Sequence, residues 1–323
     1  MALGQRFDVV ALGELVIDLV PEHRPDGRMA FAPKPGGAPG NVAVGVARLG
    51  GRAAMLSKVG DDAFGRLLIE TLRDAGVGAA GVLSTREGKT SLAVVTVDAE
   101  GDRDFLLYRE GCAESTYAPE EIAADIIADS RILHVGSLLL AEPVCAATQR
   151  RAVRLAREIG VAVSVDVNLR PSVWRSVEAM RTVALEAAEQ ADILKVSEEE
   201  LALMTQTADL ENALARLERG ARRLTAVTFG PDGALLAAGD LRARIPGFAV
   251  QVADTVACGD AFTASLLVDL GRGHGDLQAQ EGLAWLGRRA CAAGALAATT
   301  AGGMDSLPTA ADRDAFLVRR VER

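Results

Sequence analysis

Short apolar runs recur along this chain, separated by longer stretches in which apolar residues return every three or four positions. The apolar runs, rich in Val, Ile and Leu, are Val9–Leu12, Ala54–Val59, Ile132–Val135, Val161–Val165, Ile193–Val196 and Leu224–Phe229. The amphipathic stretches between them include Phe64–Ala75, Ala147–Ile159 and Val177–Ala188. Strands that are apolar throughout and alternate with helices pair in parallel and are covered on both faces. The pattern therefore predicts a three-layer α/β/α sandwich around one mostly parallel sheet.

Two segments break this alternation. Arg28–Pro35 mixes polar and apolar residues before a pair of glycines, whereas Ser91–Val97 and Arg103–Arg109 flank the connection Asp98–Asp102. A short connection that contains a glycine favours a hairpin. We predict a small β-sheet lid beside the main domain, formed by inserted segments at about 20–36 and 89–111. An edge hairpin of the main sheet is the alternative.

Composition narrows the class of protein. A length of 323 residues suggests two domains, but the absence of a linker or repeat favours one domain over 1–323 with the lid inserted. The net charge of −9 disfavours nucleic acid as a partner. The four cysteines and three histidines form neither a CxxC pair nor a metal-ligand spacing. With no membrane-spanning run and no signal core at the start, we expect a soluble, cytoplasmic protein without a membrane partner.

The segment Asp254–Phe262 combines small residues with a carboxylate at the start of an apolar helix. Phe262, Leu266 and Leu270 recur every four residues, the spacing of one buried helix face. Small residues at a helix start leave backbone N–H groups uncovered, and those groups attract anions. Asp260 lies in that first turn, where its carboxylate could take a proton from a hydroxyl that attacks phosphorus. The segment indicates phosphoryl transfer to an alcohol, with an ordinary N-cap as the alternative.

A second polar set follows the first apolar run. Asp18 lies soon after that run, and Gly36 and Gly37 precede Asn41 and the helix predicted over Val42–Leu49. Two glycines let the backbone approach a ligand closely, and Asp18 and Asn41 are suited to accept from and donate to the hydroxyls of a polyol. Each feature alone is also explained as a strand end or a turn. Together with the helix start described above, they strengthen the case for phosphoryl transfer.

Taken in order, these segments resemble the signatures of the ribokinase-like PfkB family of carbohydrate kinases, in particular its fructokinase and ketodeoxygluconate kinase branch. The matching segments are Gly36–Asn41 with Val42–Gly50, Val59–Gly65, Asp166–Pro171, Lys195–Glu200, Thr228–Gly233 and Asp254–Phe262. The resemblance implies a ribokinase-like α/β fold and ATP-dependent phosphorylation of a sugar hydroxyl. Its partners would then be a sugar and ATP.

The resemblance also assigns the catalytic residues. It implies that Asp260 is the base and that the backbone amides of Ala257, Cys258 and Gly259 form the anion hole for the transferring phosphoryl group. The family motif is commonly Gly-Ala-Gly-Asp, so Ala257 and Cys258 are variations. A thiol at a helix N-terminus can have a lowered pKa, and we hypothesise that oxidation of Cys258 obstructs the anion hole. An inert small residue is the alternative.

The resemblance also implies which residues bind the substrate. The substrate-binding residues would be Asp18, Gly36, Gly37, Asn41, Arg109, Asn168 and Arg170. Asn168 and Arg170 follow an apolar run, at the edge where open α/β sheets bind ligands. Arg170 offers a cationic fork for a phosphate or a sugar-acid carboxylate, or else forms a surface ion pair. Arg109, at the end of the lid hairpin, could meet the carboxylate of a sugar acid.

The resemblance further implies ATP, Mg²⁺ and K⁺. The ATP-binding residues would be Lys195, Thr228, Gly230 and Gly233, and the K⁺ ligands would come from Asp254, Val256, Ala297, Gly302 and Ser306. No GxxxxGK[ST] sequence is present, so the nucleotide is not held by a P-loop. Glu198 would act on Mg²⁺ through bound waters, although Ser197 replaces the Asn of the family's Asn-x-x-Glu element. An acidic first turn of a helix also explains these glutamates.

The sugar itself is less determined than the reaction. The Gly-Ala-Pro-Gly-Asn sequence at 37–41 and the pair Tyr108-Arg109 look fructokinase-like, so we expect phosphorylation of the terminal hydroxyl of fructose. Alternatives are 2-keto-3-deoxygluconate, ribose, inositol or a nucleoside. An alternative from a different functional class is a non-catalytic kinase-like protein that binds sugar or a protein partner. The lid strands suggest a homodimer through exposed sheet surface, with a monomer as the alternative.

Overall fold

Strands and helices alternate along most of the computed structural model, which describes residues 6–23, 28–97, 103–217 and 223–320. The strands within these ranges are β1 Phe7–Leu12, β2 Val16–His23, β3 Met29–Gly36, β4 Ala53–Gly60, β5 Gly78–Thr85, β6 Ser91–Val97, β7 Arg103–Tyr108, β8 Ser130–Val135, β9 Ala162–Asp166, β10 Ile193–Ser197, β11 Leu224–Thr228, β12 Ala234–Ala238 and β13 Leu241–Ile245. The α-helices are α1 Ala38–Arg48, α2 Ala63–Asp74, α3 Ala124–Ala128, α4 Pro143–Glu158, α5 Val177–Glu189, α6 Glu198–Thr205, α7 Leu210–Leu217, α8 Cys258–Gly271, α9 Gln280–Ala297 and α10 Ala310–Arg319.

One large sheet forms the centre of the described chain, in the strand order β13-β12-β11-β10-β9-β8-β1-β4-β5. Neighbours from β11 to β5 are parallel, and β12 and β13 continue the sheet as antiparallel strands at one edge. The central strand is buried on both faces, because Val9 and Ala11 pack into one hydrophobic cluster and Val10 and Leu12 into the other. Each apolar run that predicted a strand lies in one of the parallel strands.

Helices cover both faces of this sheet, as the sequence pattern predicts. Helices α1, α2, α8 and α9 pack on one face, whereas α3 to α7 pack on the other. The three-layer α/β/α architecture is therefore confirmed. No helix in the described ranges is long and apolar enough to cross a bilayer.

Helix α1 begins at Ala38, four residues before the predicted start at Val42. Pro39 is tolerated in the first turn because its missing N–H has no partner there anyway. Gly37 precedes the helix with a φ of 101°, and a side chain there would meet the carbonyl oxygen of Glu14. The earlier start places Asn41 inside the first helical turn.

A second, smaller sheet has the strand order β3-β2-β6-β7. Strand β2 pairs antiparallel with β3 and parallel with β6, and β6 pairs antiparallel with β7. Since β6 and β7 pair with the segments from the N-terminal part, they are not an edge hairpin of the large sheet. The first segment begins at Val16, earlier than the predicted residue 20, and the predicted connection Asp98–Asp102 lies outside the described residues.

Candidate active site

A cavity of about 930 Å³ lies between the small sheet and the carboxyl ends of the parallel strands. The predicted site residues that line it are Asp18, Gly37, Asn41, Asn168, Arg170, Lys195, Asp254, Val256, Ala257, Gly259 and Asp260. They come from β2, the start of α1, the ends of β9 and β10, and the start of α8. Parallel strands bring their carboxyl ends to the same edge, which explains why residues so far apart in sequence share one cavity.

Asp260 lies in the first turn of α8, beside the first turn of α1. Its Oδ2 atom accepts a hydrogen bond of 2.7 Å from Nδ2 of Asn41. Burial raises the pKa of Asp260 to about 6, against the opposing effect of the Asn41 hydrogen bond. A carboxyl group that titrates near neutral pH and lines a cavity is suited to act as a general base.

The start of α8 presents backbone amides to the cavity. Its N-cap is Ala257, with a φ of 61°, and the first intrahelical bond runs from the Ala261 amide to the Ala257 carbonyl at 2.8 Å. The Cys258 amide donates to the Thr255 carbonyl at 3.4 Å, whereas the following amides of this first turn have no acceptor within the helix. A Cβ at Gly259 would lie 3.2 Å from Nζ of Lys195, so the glycine lets an ammonium group approach this turn closely. The amides and the ammonium group together form a site for a negatively charged group.

Lys195 is held in place by a buried ion pair. Its Nζ atom donates to Oδ1 of Asp166 at 3.1 Å, and the Thr263 hydroxyl donates to Oδ2 of the same carboxylate at 3.1 Å. Burial alone would lower the pKa of Lys195, but Asp166 and Glu200 outweigh it and the pKa is raised. The ammonium group therefore stays charged beside the helix start. Sequence reasoning did not single out Asp166, although a carboxylate at the end of an apolar strand was the available signal.

The side of the cavity that carries Asp18 is lined by acidic residues. Asp18 projects from β2, and burial followed by the charge of Asp260 raises its pKa to about 7. Gly36 on β3 is paired with Val16, two residues from Asp18, and a Cβ at Gly36 would clash with the Asp18 carboxylate. Glu14, in the turn after β1, is 4 % exposed and also lines the cavity. The sequence analysis did not select Glu14, although its place after the first strand was a signal.

Two predicted residues differ from expectation. Arg109 is not among the residues that line the cavity; its Nε atom donates to the buried carboxylate of Glu114 instead. Burial, followed by Asp254 and Asp260, raises the pKa of the Cys258 thiol to about 11. The expected lowering of the Cys258 pKa is therefore wrong, because burial and two carboxylates outweigh the effect of the helix start.

Of the predicted nucleotide residues, Lys195 lines the cavity, whereas Thr228, Gly230 and Gly233 lie at the end of β11 and in the turn after it, outside the lining. The Thr228 hydroxyl donates to the Val196 carbonyl at 3.4 Å. Gly230 and Gly233 shape the turn between β11 and β12, with φ values of 54° and 99°. Glu198 is exposed at the start of α6, where Ser197 caps the helix.

The predicted K⁺ ligands are partly connected by hydrogen bonds. The buried carboxylate of Asp254 accepts from the amide of Val256 at 3.1 Å and from that of Gly302 at 2.9 Å. The Ser306 hydroxyl donates to the Gly303 carbonyl at 2.9 Å, and Ala297 ends α9 in a buried position. Within the described ranges, no three His, Cys, Asp or Glu side chains lie close enough together to hold a metal ion.

The fold and the site together define a phosphotransferase that acts on a small hydroxyl compound: an anion site and a carboxyl base meet in a cleft between an α/β sheet and a lid. The chain belongs to the pfkB family of carbohydrate kinases, whose model matches residues 6–310. This protein is therefore a sugar kinase.

Similar proteins of known name extend over nearly the whole chain. The chain is 41 % identical to Fructokinase-1 of Oryza sativa subsp. japonica, over 95 % of this chain and 96 % of that protein. Its structure resembles that of a fructokinase with bound ATP from Xylella fastidiosa, with a TM-score of 0.91 and 30 % identity over 97 % and 99 % of the two chains. It also resembles a fructokinase from Vibrio cholerae O395 in a fructose, ADP and calcium ion bound form, with a TM-score of 0.84 and 33 % identity over 96 % and 98 %.

Proposed function

We propose that this protein is an ATP-dependent fructokinase that phosphorylates the terminal hydroxyl of fructose. The observation that carries the proposal is the position of Asp260, which shares one cavity with Asp18 and an anion-binding helix start. The similar proteins named fructokinase support the choice of sugar.

Proton transfer in this proposal depends on Asp260. The hydrogen bond from Asn41 occupies Oδ2 and fixes the orientation of the carboxylate, which leaves Oδ1 to accept the proton of the attacking hydroxyl. With a pKa of about 6, the group is mostly ionised at neutral pH yet basic enough to accept a proton in the transition state. Asp18, on β2 of the small sheet, would accept hydrogen bonds from other hydroxyls of the sugar and so orient the attacking hydroxyl.

Charge on the transferring phosphoryl group would be stabilised by the start of α8. Its amides are aimed before the reaction, so little reorganisation is required. Lys195 adds a positive charge near Gly259, and the carboxylate of Asp166 keeps its ammonium group in place. The small sheet would exclude water from the cleft, which favours transfer to the sugar over hydrolysis.

Mg²⁺ and K⁺ fit the oxygen donors at this site. Mg²⁺ commonly binds through substrate phosphates and water with one or two carboxylates, which agrees with the exposed carboxylate of Glu198 after β10. It would supply charge neutralisation of the phosphates. The carboxylate, carbonyl and hydroxyl oxygens around Asp254 and Ser306 are hard donors, the type that an alkali cation prefers.

We further propose that two copies associate through the small sheet. Large apolar side chains are exposed on β3 and β7: Met29, Phe31, Leu106 and Tyr108. Such a patch on a sheet is typical of an interaction surface.

A coupled ADP-release assay with Mg²⁺-ATP tests the reaction. The sugar panel would contain fructose, 2-keto-3-deoxygluconate, ribose, inositol and adenosine. We expect the highest kcat/KM with fructose, and a kcat about 10²–10⁴-fold lower when Asp260 is replaced by Asn. Folded protein that phosphorylates none of these compounds would contradict the kinase assignment, and a higher kcat/KM for another acceptor would contradict the choice of fructose.

A further inference from the structure

Three buried charged residues lie behind the sugar end of the cavity: Glu14, Arg109 and Glu114. Glu14 follows β1, Arg109 follows β7, and Glu114 lies on the short 3-10 helix Ala113–Thr116. The side chains of Arg109 and Glu114 are 10 % and 4 % exposed, and Nε of Arg109 donates to Oε1 of Glu114. We call these three residues the acidic cluster.

Glu14 is the member of the cluster that lines the cavity. Its Oε2 atom is buried and accepts no hydrogen bond from any described residue. Burial raises the pKa of Glu14 to about 7, and Arg109 is the neighbour whose charge opposes that rise. A buried carboxyl oxygen without a donor is costly, and a ligand hydroxyl in the cavity would remove that cost.

The guanidinium group of Arg109 is already neutralised. Burial would lower its pKa, but the carboxylates of Glu114 and Glu14 outweigh burial and raise it. The cation therefore remains charged with its charge balanced by Glu114 and Glu14, and of these three residues Glu14 is the one that lines the cavity. Arg109 consequently offers no free positive charge to a substrate carboxylate.

The remaining titratable groups at the sugar end are mostly carboxyl groups. Asp18 and Asp260 line the cavity with Glu14, and Arg170 is the cation among them, since Lys195 is paired with Asp166. A sugar acid would add a further carboxylate to this set. Because the pKa values of Asp18 and Glu14 are about 7, binding the acid requires either repulsion between like charges or protonation of a carboxyl group, and both cost free energy. A neutral sugar brings hydroxyl donors, which carboxylate oxygens require.

We infer that the acidic cluster selects uncharged sugars against sugar acids, with Glu14 as a substrate-binding residue and Glu114 as a positioning residue that withholds Arg109. This inference rests on the proposed function, since it explains why a pocket with an arginine near its sugar end prefers fructose to 2-keto-3-deoxygluconate.

The test compares Glu14→Gln, Glu114→Gln and the double variant with the native enzyme. Glu121→Gln is the matched control, because Glu121 also pairs with a cation, Lys58, but does not line the cavity. For each protein, kcat and KM are measured with fructose and with 2-keto-3-deoxygluconate, together with the KM for ATP. Calorimetry without ATP measures the binding of each sugar directly.

We expect the native enzyme and Glu121→Gln to prefer fructose. Glu14→Gln should raise the KM for fructose about tenfold, the effect of one lost hydrogen bond to a charged group, and leave the KM for ATP unchanged. Glu114→Gln should raise kcat/KM for the acid about tenfold by releasing the charge of Arg109. If the residues had a merely structural role, the variants would lower kcat/KM for both sugars equally and leave the ratio of the two values unchanged.

The inference is overturned if neither variant changes the ratio of kcat/KM for fructose to kcat/KM for the acid. It is also overturned if the native protein binds the acid more tightly than fructose. Should Glu14→Gln fail to fold, Glu114→Gln and the calorimetric comparison still decide the question. Failure of the proposed function would look different: no turnover of fructose by the native enzyme, while the binding preference remains measurable.

Discussion

At the scale of single residues, the pairing of Asp260 with Asn41 determines how the base works. One hydrogen bond joins the first turns of two helices, α1 and α8, that are far apart in sequence. The bond favours the ionised carboxylate, and burial opposes it more strongly. The balance places the base near the pH at which it must work.

Replacing Asp260 with Asn should lower kcat by about 10²–10⁴-fold, because it removes the general base and keeps the shape of the side chain. Stability should not fall, since burial already penalises the charge of Asp260. Steady-state kinetics with a thermal melt of each protein would check both statements. A melting temperature well below that of the native protein would mean that the lost activity reflects unfolding.

The pH dependence follows from the same group. Asp260 accepts a proton only when ionised, so kcat/KM for fructose should decline as the pH falls through about 6. Asn41→Ala removes a hydrogen bond that lowers the pKa of Asp260, and the decline should then begin at higher pH. A pH–rate series from 5 to about 9 on both proteins measures the shift. Identical profiles would show that a group other than Asp260 controls the decline at low pH.

At the scale of elements, the start of α8 depends on a left-handed residue. Ala257 has a φ of 61°, which residues other than glycine rarely adopt. This conformation turns the chain into a helix start at which Ala257, Gly259 and Asp260 line the cavity. Gln206 ends α6 with a similar φ of 55° and is exposed, far from the cavity.

Glycine should relieve strain at either position, by about 1 kcal/mol. Gln206→Gly should therefore stabilise the protein, and Ala257→Gly should do so less, because the buried Cβ of Ala257 packs in the core. Ala257→Val should lower both stability and kcat, since a β-branched residue is poorly accommodated at positive φ. Urea unfolding and steady-state kinetics provide the measurements. An Ala257→Val variant with native activity would contradict this account of the turn.

Elements also show what the sequence could predict. The parallel strands and their helices were predictable because continuous burial leaves an apolar run, as in β1 and β9. Strands β12 and β13 were not predicted, because β12 is apolar but rich in Ala, which is uncommon in strands, and β13 interrupts its apolar residues with two arginines. Cavity-lining residues that belong to sequence motifs, such as Asp260, were predictable because small residues and a carboxylate occur together at a helix start. The partner of Arg109 was not, because pairing with Glu114 depends on how β7 and the following 3-10 helix pack.

At the scale of the whole molecule, the small sheet has two different faces. Its cavity face carries Asp18, Ala93 and Leu107, which are neighbours in the strand register. On the opposite face, Leu106 is 55 % exposed beside Val94. One face is suited to a sugar and the other to a second copy of the chain.

Light scattering at micromolar concentration should therefore give about twice the chain mass of 33.7 kDa. Leu106→Lys should shift the population to monomer, because a charge cannot be buried unpaired in an apolar contact. Val318→Lys is the control, since Val318 is 60 % exposed on α10, outside the small sheet. A native protein that is monomeric at every concentration would refute the dimer.

Consecutive residues of a strand point to opposite faces, so Asp18 and Leu19 place the cavity face and the face that carries Leu106 one residue apart. No chain of intermediates is required between them. If self-association stiffens or shifts β2, ligand affinity and assembly form one linked equilibrium, in which each alters the other by the same factor. Such an enzyme would respond to dilution as well as to sugar, and its apparent affinity for fructose would then depend on its own concentration.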